Sequence, residues 1–161
     1  MQLLLKNIKQ LVTVSADGSL AKTGKDMREI AVVEDASVLI EDDKIRWAGP
    51  AKSFREKLSR DADVIDGKDY VAFPGFVDAH THLVFAGSRE NEFAMRAQGM
   101  TYQQIAEAGG GILSTVKAVR SATKKELKKL AGKRLDAMMQ HGTTTVEIKS
   151  GYGLNEESEI K

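Results

Sequence analysis

The sequence has no cysteine, only two prolines, 6% aromatic residues and almost no net charge: 24 Lys+Arg stand against 23 Asp+Glu in 161 residues, a balance of +1. Each shortage removes a class of function. Without cysteine there is no disulfide framework, no thiolate nucleophile and no Cys-ligated zinc, which leaves His and carboxylates as the available metal ligands. Balanced charge provides no one-signed field to draw nucleic acid or a strongly acidic surface. The longest apolar stretches, such as residues 1–5 and 70–77, fall far short of the roughly 18 residues a bilayer span requires. The first residues lack the basic stretch, apolar core and small-residue cleavage site of a signal peptide, so a cytoplasmic location is expected. The length suits one domain, or one domain and part of another.

Residues 1–66 read as short strands punctuated by turns, a small antiparallel module. Leu3-Leu4-Leu5, Ile8 and residues 11–14 run into Asp17-Gly18, and residues 30–33 lead to Val38-Leu39-Ile40. The polar turn Glu41-Asp42-Asp43-Lys44 and the run Ile45-Arg46-Trp47 complete a hairpin that Gly49-Pro50 closes. Residues 53–58 have room for one or two helical turns, and Val64-Ile65 is a further short strand. From residue 67 to residue 161 the character changes, and a second domain is expected there. Residues 70–85 are nearly all apolar, broken by Pro74-Gly75 and His80-Thr81-His82, as suits strands buried on both faces.

Helical signals follow. Thr101 with Gln104 and Thr123 with Glu126 have capping-box spacing, in which two side chains satisfy the first free N–H groups of a helix. Leu127, Leu130, Ala131, Leu135 and Met138 form an apolar stripe ending near Gly142, and Lys124, Lys125, Lys128, Lys129, Lys133 and Arg134 read as its solvated face. Residues 143–148 are β-rich and parallel in style. Asn155 with Glu156, Glu157 and Glu159 opens another helix. The order strand, loop, helices, strand is that of the first units of a βα barrel or a doubly wound sheet. A complete (β/α) barrel takes roughly 250 residues, so only about two of its strands are visible.

His80 and His82 lie two apart on what reads as a strand, so both imidazoles project to one face, where they can share an ion at about 2.0 Å each. Three His make three pairs, each with roughly a 2/161 chance of that separation, so it arises by accident about 4% of the time. Two strand-end His bonded to carbonyls satisfy the same spacing. Gly109-Gly110-Gly111 lacks the Gly-Lys-Ser/Thr ending of a phosphate cradle and reads as a flexible loop. His141 sits where a helix C-terminus favours positive charge, a capping position.

The segment Pro74-Gly75-Phe76-Val77-Asp78-Ala79-His80-Thr81-His82, some 30 residues after Lys44-Ile45-Arg46-Trp47-Ala48-Gly49, resembles the opening of the amidohydrolase superfamily. Residues 83–93, Gly109-Gly110-Gly111-Ile112 and Glu147-Ile148-Lys149-Ser150-Gly151-Tyr152-Gly153-Leu154 resemble, within it, the imidazolonepropionase family of histidine degradation. The resemblance spans the chain. It implies an α/β fold: a small N-terminal antiparallel β-sandwich module over residues 1–66, then over 67–161 the first βα units of a metal-dependent (β/α)8 TIM barrel, truncated. It further implies one divalent metal, zinc or iron, with His80 and His82 as two ligands, and a further His and Asp, together with the acid-base residues, beyond Lys161. No catalytic residue is assigned within the chain.

By the same resemblance Arg89 holds the substrate's propionate and Tyr152 contacts substrate, with Tyr102 a weaker candidate. The implied reaction converts 4-imidazolone-5-propanoate and water into N-formimidoyl-L-glutamate, with a small molecule as the partner and a homo-oligomer left open. Residue by residue, plainer roles stand beside these. Arg89 is equally a loop arginine paired with Glu90 or Glu92, Tyr152 a packing residue, and Lys149 either ion-paired or, in some amidohydrolases, a carbamylated bridge between two metals. Another amidohydrolase, a cyclic amidase or a deaminase, would share His80 and His82. The chain by itself is expected to be an inactive fragment or a truncated non-catalytic module.

Overall fold

Gln2–Val12 forms one eleven-residue strand, β1, where separate short strands were expected. A bulge explains the difference: β1 pairs antiparallel with β2 (Val32–Glu41), Leu5 opposite Val38 and Ile8 opposite Ala36, so Lys6 and Asn7 together face Ser37. Asn7 takes φ 56°, a left-handed conformation that Asn tolerates through local hydrogen bonding, and the apolar positions resume on the far side of the bulge. The hairpin from β2 to β3 (Lys44–Pro50) turns at Asp42, φ 55°, as its polar sequence predicts. Only Ala51–Ser53 coils after it, as a single 3-10 turn, so the helix expected over 53–58 does not form.

The computed structural model describes residues 1–16 and 18–161. Asp17, half of the turn expected at Asp17-Gly18, lies outside the described residues. Two compact units divide the chain, Met1–Pro74 and Gly75–Lys161.

In the first unit the sheet is mixed, not wholly antiparallel as expected. Residues 51–62 carry the chain back to the starting end of the sheet, so β4 (Asp63–Asp66) and β5 (Val71–Ala72) both run parallel to β1 and share its second edge in tandem. Ile8, Leu11, Ala36 and Val38 form a buried cluster, with Leu5, Val33, Ile40 and Ala72 packed against them, and Leu4 and Leu39 are buried as well. Fully burying side chains of this kind contributes roughly 1.5–3 kcal/mol each.

In the second unit β6 (Phe76–Thr81) and β7 (Thr143–Ile148) pair in parallel, as the sequence pattern predicts. The crossover between them holds α1 (Glu90–Ala97), α2 (Tyr102–Glu107), α3 (Ile112–Ser121) and α4 (Lys124–Gln140). Both expected capping boxes are present at the starts of α2 and α4, each contributing about 1 kcal/mol. The Glu126 carboxyl is held below its usual range, mainly because it accepts the Thr123 N–H. His141 caps α4, its Nδ1 donating to Ala137 O at 2.7 Å. After β7 comes α5 (Glu156–Glu159), whose Asn155 cap accepts the Ser158 N–H at 2.8 Å.

A buried cluster of this unit is Ala86, Val119 and Leu127, with Phe85, Ala118, Leu130 and Tyr152 around it, and Leu83, Ile105 and Val116 are buried as well. β6 is not buried on both faces as the apolar run over 70–85 suggests: Phe76 is 53% and Val77 69% exposed. Burial of that kind needs covering layers on either side of the sheet, and this unit has two strands. No helix among the described residues is long and apolar enough to cross a membrane.

Candidate functional site

β6 delivers His80 at its end and His82 one residue past it, as alternation along a strand requires. Their ring centroids are 5.5 Å apart. Two imidazoles bound to one ion tetrahedrally, at about 2.0–2.1 Å per bond, hold their centroids roughly 5 Å apart, a separation close to that of this pair. His80 is exposed, and His82 is half-buried with its Nδ1 enclosed and lacking any hydrogen-bond partner. An imidazole nitrogen removed from water and left unpartnered costs about 1–3 kcal/mol unless something binds the ring. The two histidines therefore suit a metal as donors. Among the described residues no third His, Asp or Glu joins them.

Asp78, on the same side of β6, turns back to accept the His80 N–H at 3.1 Å. The loop after β7 closes over His82. A Cβ on Gly151 would stand 2.9 Å from His82 Cε1 and 3.2 Å from Nδ1, so the absence of a side chain there admits the imidazole. Tyr152 follows, its ring 5.2 Å from His82 and 5.9 Å from Phe85. Half-buried against the core, Tyr152 is thus both a packing residue and the wall beside His82. A cavity of about 290 Å3 opens on its side, lined by Val84, Ile148, Lys149, Tyr152 and Glu159.

Arg89 is the residue before α1, makes no side-chain capping bond and is exposed. The carboxylates expected as its partners are engaged elsewhere. Glu90 is held below its usual pKa chiefly by the Ser88 hydroxyl, and buried Glu92 accepts the Gly111 N–H at 2.7 Å. Among the described residues Arg89 has no ion pair, and no hydrogen bond or ring contact joins it to the His pair. Tyr102, 66% exposed, lies near Gly111 and likewise stands apart. Lys149 Nζ is ion-paired with Glu147, the plainer of its two roles.

Several residues act differently from their sequence reading. In Gly109-Gly110-Gly111 the last two residues are packed, because the Glu92 carboxylate accepts the Gly111 N–H and a Cβ on Gly110 would collide with Ile105 at 2.7 Å. Arg134 is not on a solvated face: its Nη1 donates to Leu83 O and Phe85 O, both at 2.9 Å, and its guanidinium lies 3.5 Å over the Phe85 ring. Burial lowers its pKa. That side chain ties α4 to the segment linking His82 to Arg89. Nothing in the local sequence distinguishes it from its lysine neighbours, except that arginine alone forks to several acceptors.

Over nearly its whole length the chain resembles curated proteins named imidazolonepropionase. It is 48% identical to that of Shouchella clausii over 162 residues, covering 99% of this chain and 36% of the relative. The Thermoanaerobacter pseudethanolicus protein is 49% identical, covering 99% and 37%. The chain therefore spans a little over a third of the length of the curated relatives it matches. No family model matches it. Among solved structures, guanine deaminase from E. coli superposes with a TM-score of 0.56 at 16% identity, covering 93% of this chain and 30% of that one. A protein described as an amidohydrolase superposes with a TM-score of 0.55 at 20% identity, covering 94% and 26%. At such identities the likeness is one of mixed α/β fold.

Proposed function

We propose that this chain is the N-terminal portion of an imidazolonepropionase, a cytoplasmic enzyme that hydrolyses the cyclic C–N bond of 4-imidazolone-5-propanoate to give N-formimidoyl-L-glutamate. The observation that carries this reading is the whole-chain likeness to proteins named for that activity, supported by two neighbouring His rings 5.5 Å apart at the end of β6. Met1–Pro74 is then part of a small β-sandwich module, and Gly75–Lys161 opens a (β/α)8 barrel whose first parallel pair is β6 and β7. That placement puts residues 82–89 and 149–154 at the C-terminal strand ends, where barrel enzymes assemble their sites.

His80 and His82 would hold one divalent ion, zinc or iron, with further ligands from outside residues 1–161. When bound, such an ion would polarise a carbonyl and lower the pKa of a coordinated water towards neutrality. The residues of this chain supply the surroundings. Arg89, without an ion pair among the described residues, offers two parallel N–H donors to the propionate carboxylate, a contact that orients the ring and selects against cyclic amides lacking the acid. Tyr152 walls the space beside His82 and, with Phe85, excludes water from one side of it. Expressing the complete reading frame, loading it with zinc or iron and following the imidazolone substrate tests the reading. Formation of N-formimidoyl-L-glutamate is expected, whereas a loaded enzyme that deaminates or opens another ring and ignores this substrate overturns it.

A further inference from the structure

The loop carrying Tyr152 is gripped from two sides by opposite charges. From α5, Glu159 reaches back: Oε2 accepts the Gly151 N–H, and Oε1 accepts those of Gly153 and Leu154, all at 2.8 Å. From α3, Arg120 Nε donates to Gly153 O, also at 2.8 Å. A Cβ on Gly153 would stand 2.7 Å from the Glu159 backbone nitrogen, so glycine is what lets α5 approach. Glu159 is not needed as a helix cap, since Asn155 already serves. Of the four amides in 151–154, only that of Tyr152 is left out of the Glu159 grip, and its ring is the one turned onto His82.

We propose that Glu159 is a positioning residue for substrate binding, fixing backbone 151–154 so that the Tyr152 ring stays beside His82. Glu159 touches neither substrate nor metal and acts through Tyr152. The ionised carboxylate on three N–H donors is held below its usual pKa, the Leu154 N–H contributing most, as such a clamp requires. Arg120 completes the clamp on the carbonyl side, so the loop is preorganised and not ordered at the expense of substrate affinity. This inference rests on the function proposed above.

The test uses the complete, metal-loaded enzyme with Glu159→Ala, Glu159→Gln, Tyr152→Ala and the Glu159→Ala/Tyr152→Ala double variant, reading KM, kcat, metal content and amide exchange at 151–154. Glu159→Ala should accelerate exchange at Gly151, Gly153 and Leu154 and raise KM about tenfold, with metal content unchanged and kcat within about threefold. Glu159→Gln keeps one acceptor oxygen and should fall between, which also decides the matter if the alanine variant does not fold. Added to Tyr152→Ala, loss of Glu159 should raise KM little further. Faster exchange with an unmoved KM would make Glu159 merely structural and overturn the proposal, as would unchanged exchange. A wild-type enzyme inactive on the imidazolone would overturn the function and this inference together, whereas an active wild type with an unmoved KM in the variants overturns this inference alone.

Discussion

Gly75→Ala should damage the second unit out of proportion to one added methyl group. An ideal Cβ at residue 75 would lie 2.0 Å from Thr144 Oγ1, 2.5 Å from its Cγ2 and 2.8 Å from its Cβ. Rotating the threonine relocates the first two atoms but not the third, so relief requires β6 and β7 to separate by most of an ångström. The Phe76 N–H to Gly142 O bond of 2.8 Å closes the same end of the pair and would stretch with it. Overpacking of this kind costs about 1–3 kcal/mol and a weakened backbone hydrogen bond about 0.5–1.5, so a loss of about 2–4 kcal/mol is expected. Urea unfolding followed by circular dichroism measures it. Thr144→Gly removes all three clashing atoms, so in the double variant the Gly75→Ala penalty should shrink by about 1.5 kcal/mol or more, beyond additive error. A Gly75→Ala protein within about 0.5 kcal/mol of wild type, or no coupling to residue 144, would refute the close approach of β6 and β7.

Three further outcomes are expected. Arg134→Ala should destabilise the second unit by about 2 kcal/mol or more, from two charge-assisted hydrogen bonds and the ring contact. Arg134→Lys should recover less than half of this in the same unfolding experiment, since an ammonium lacks the planar fork. Because the folded pKa of Glu126 lies below its ordinary value of 4.5, the unfolded chain takes up the proton first; its cap is fully present above that value and lost as pH falls through the lower, folded one. Amide exchange at the start of α4 should show this acid sensitivity, and Glu126→Gln should abolish it. Arg89→Ala should lower kcat/KM for the imidazolone at least tenfold, about 1.4 kcal/mol, with an unchanged unfolding midpoint; a smaller fall removes Arg89 as the carboxylate clamp.

What the sequence made legible was local. The capping boxes at Thr101 and Thr123, the Asp42 hairpin turn, the strand over 143–148 and the shared face of His80 and His82 all follow from contacts within a few residues. Distant pairings were not legible. β4 lies beside β1 across some sixty residues, at Leu3 opposite Asp63, and no periodicity states which edge or direction a returning strand takes. Arg134 meets its carbonyls 49 and 51 residues away, so in sequence it is one more cation on a basic helix. Glu159 is instructive because its partners are near: an acidic residue after Asn155 fits a helix N-terminus equally well, and only the folded backbone of 151–154 reveals the second use. Gly110 and Gly151 were silent for a related reason, since the side chains they admit, Ile105 and His82, are brought to them only by the fold.

The central claim is that His80 and His82 bind one divalent ion together, and metal analysis of the purified complete enzyme tests it most directly. The wild type should carry one equivalent of zinc or iron, and removing both imidazoles leaves too few ligands to retain it. The His80→Ala/His82→Ala protein should therefore hold close to none while keeping a folded circular dichroism spectrum. One equivalent of tightly bound metal in that double variant would contradict the account.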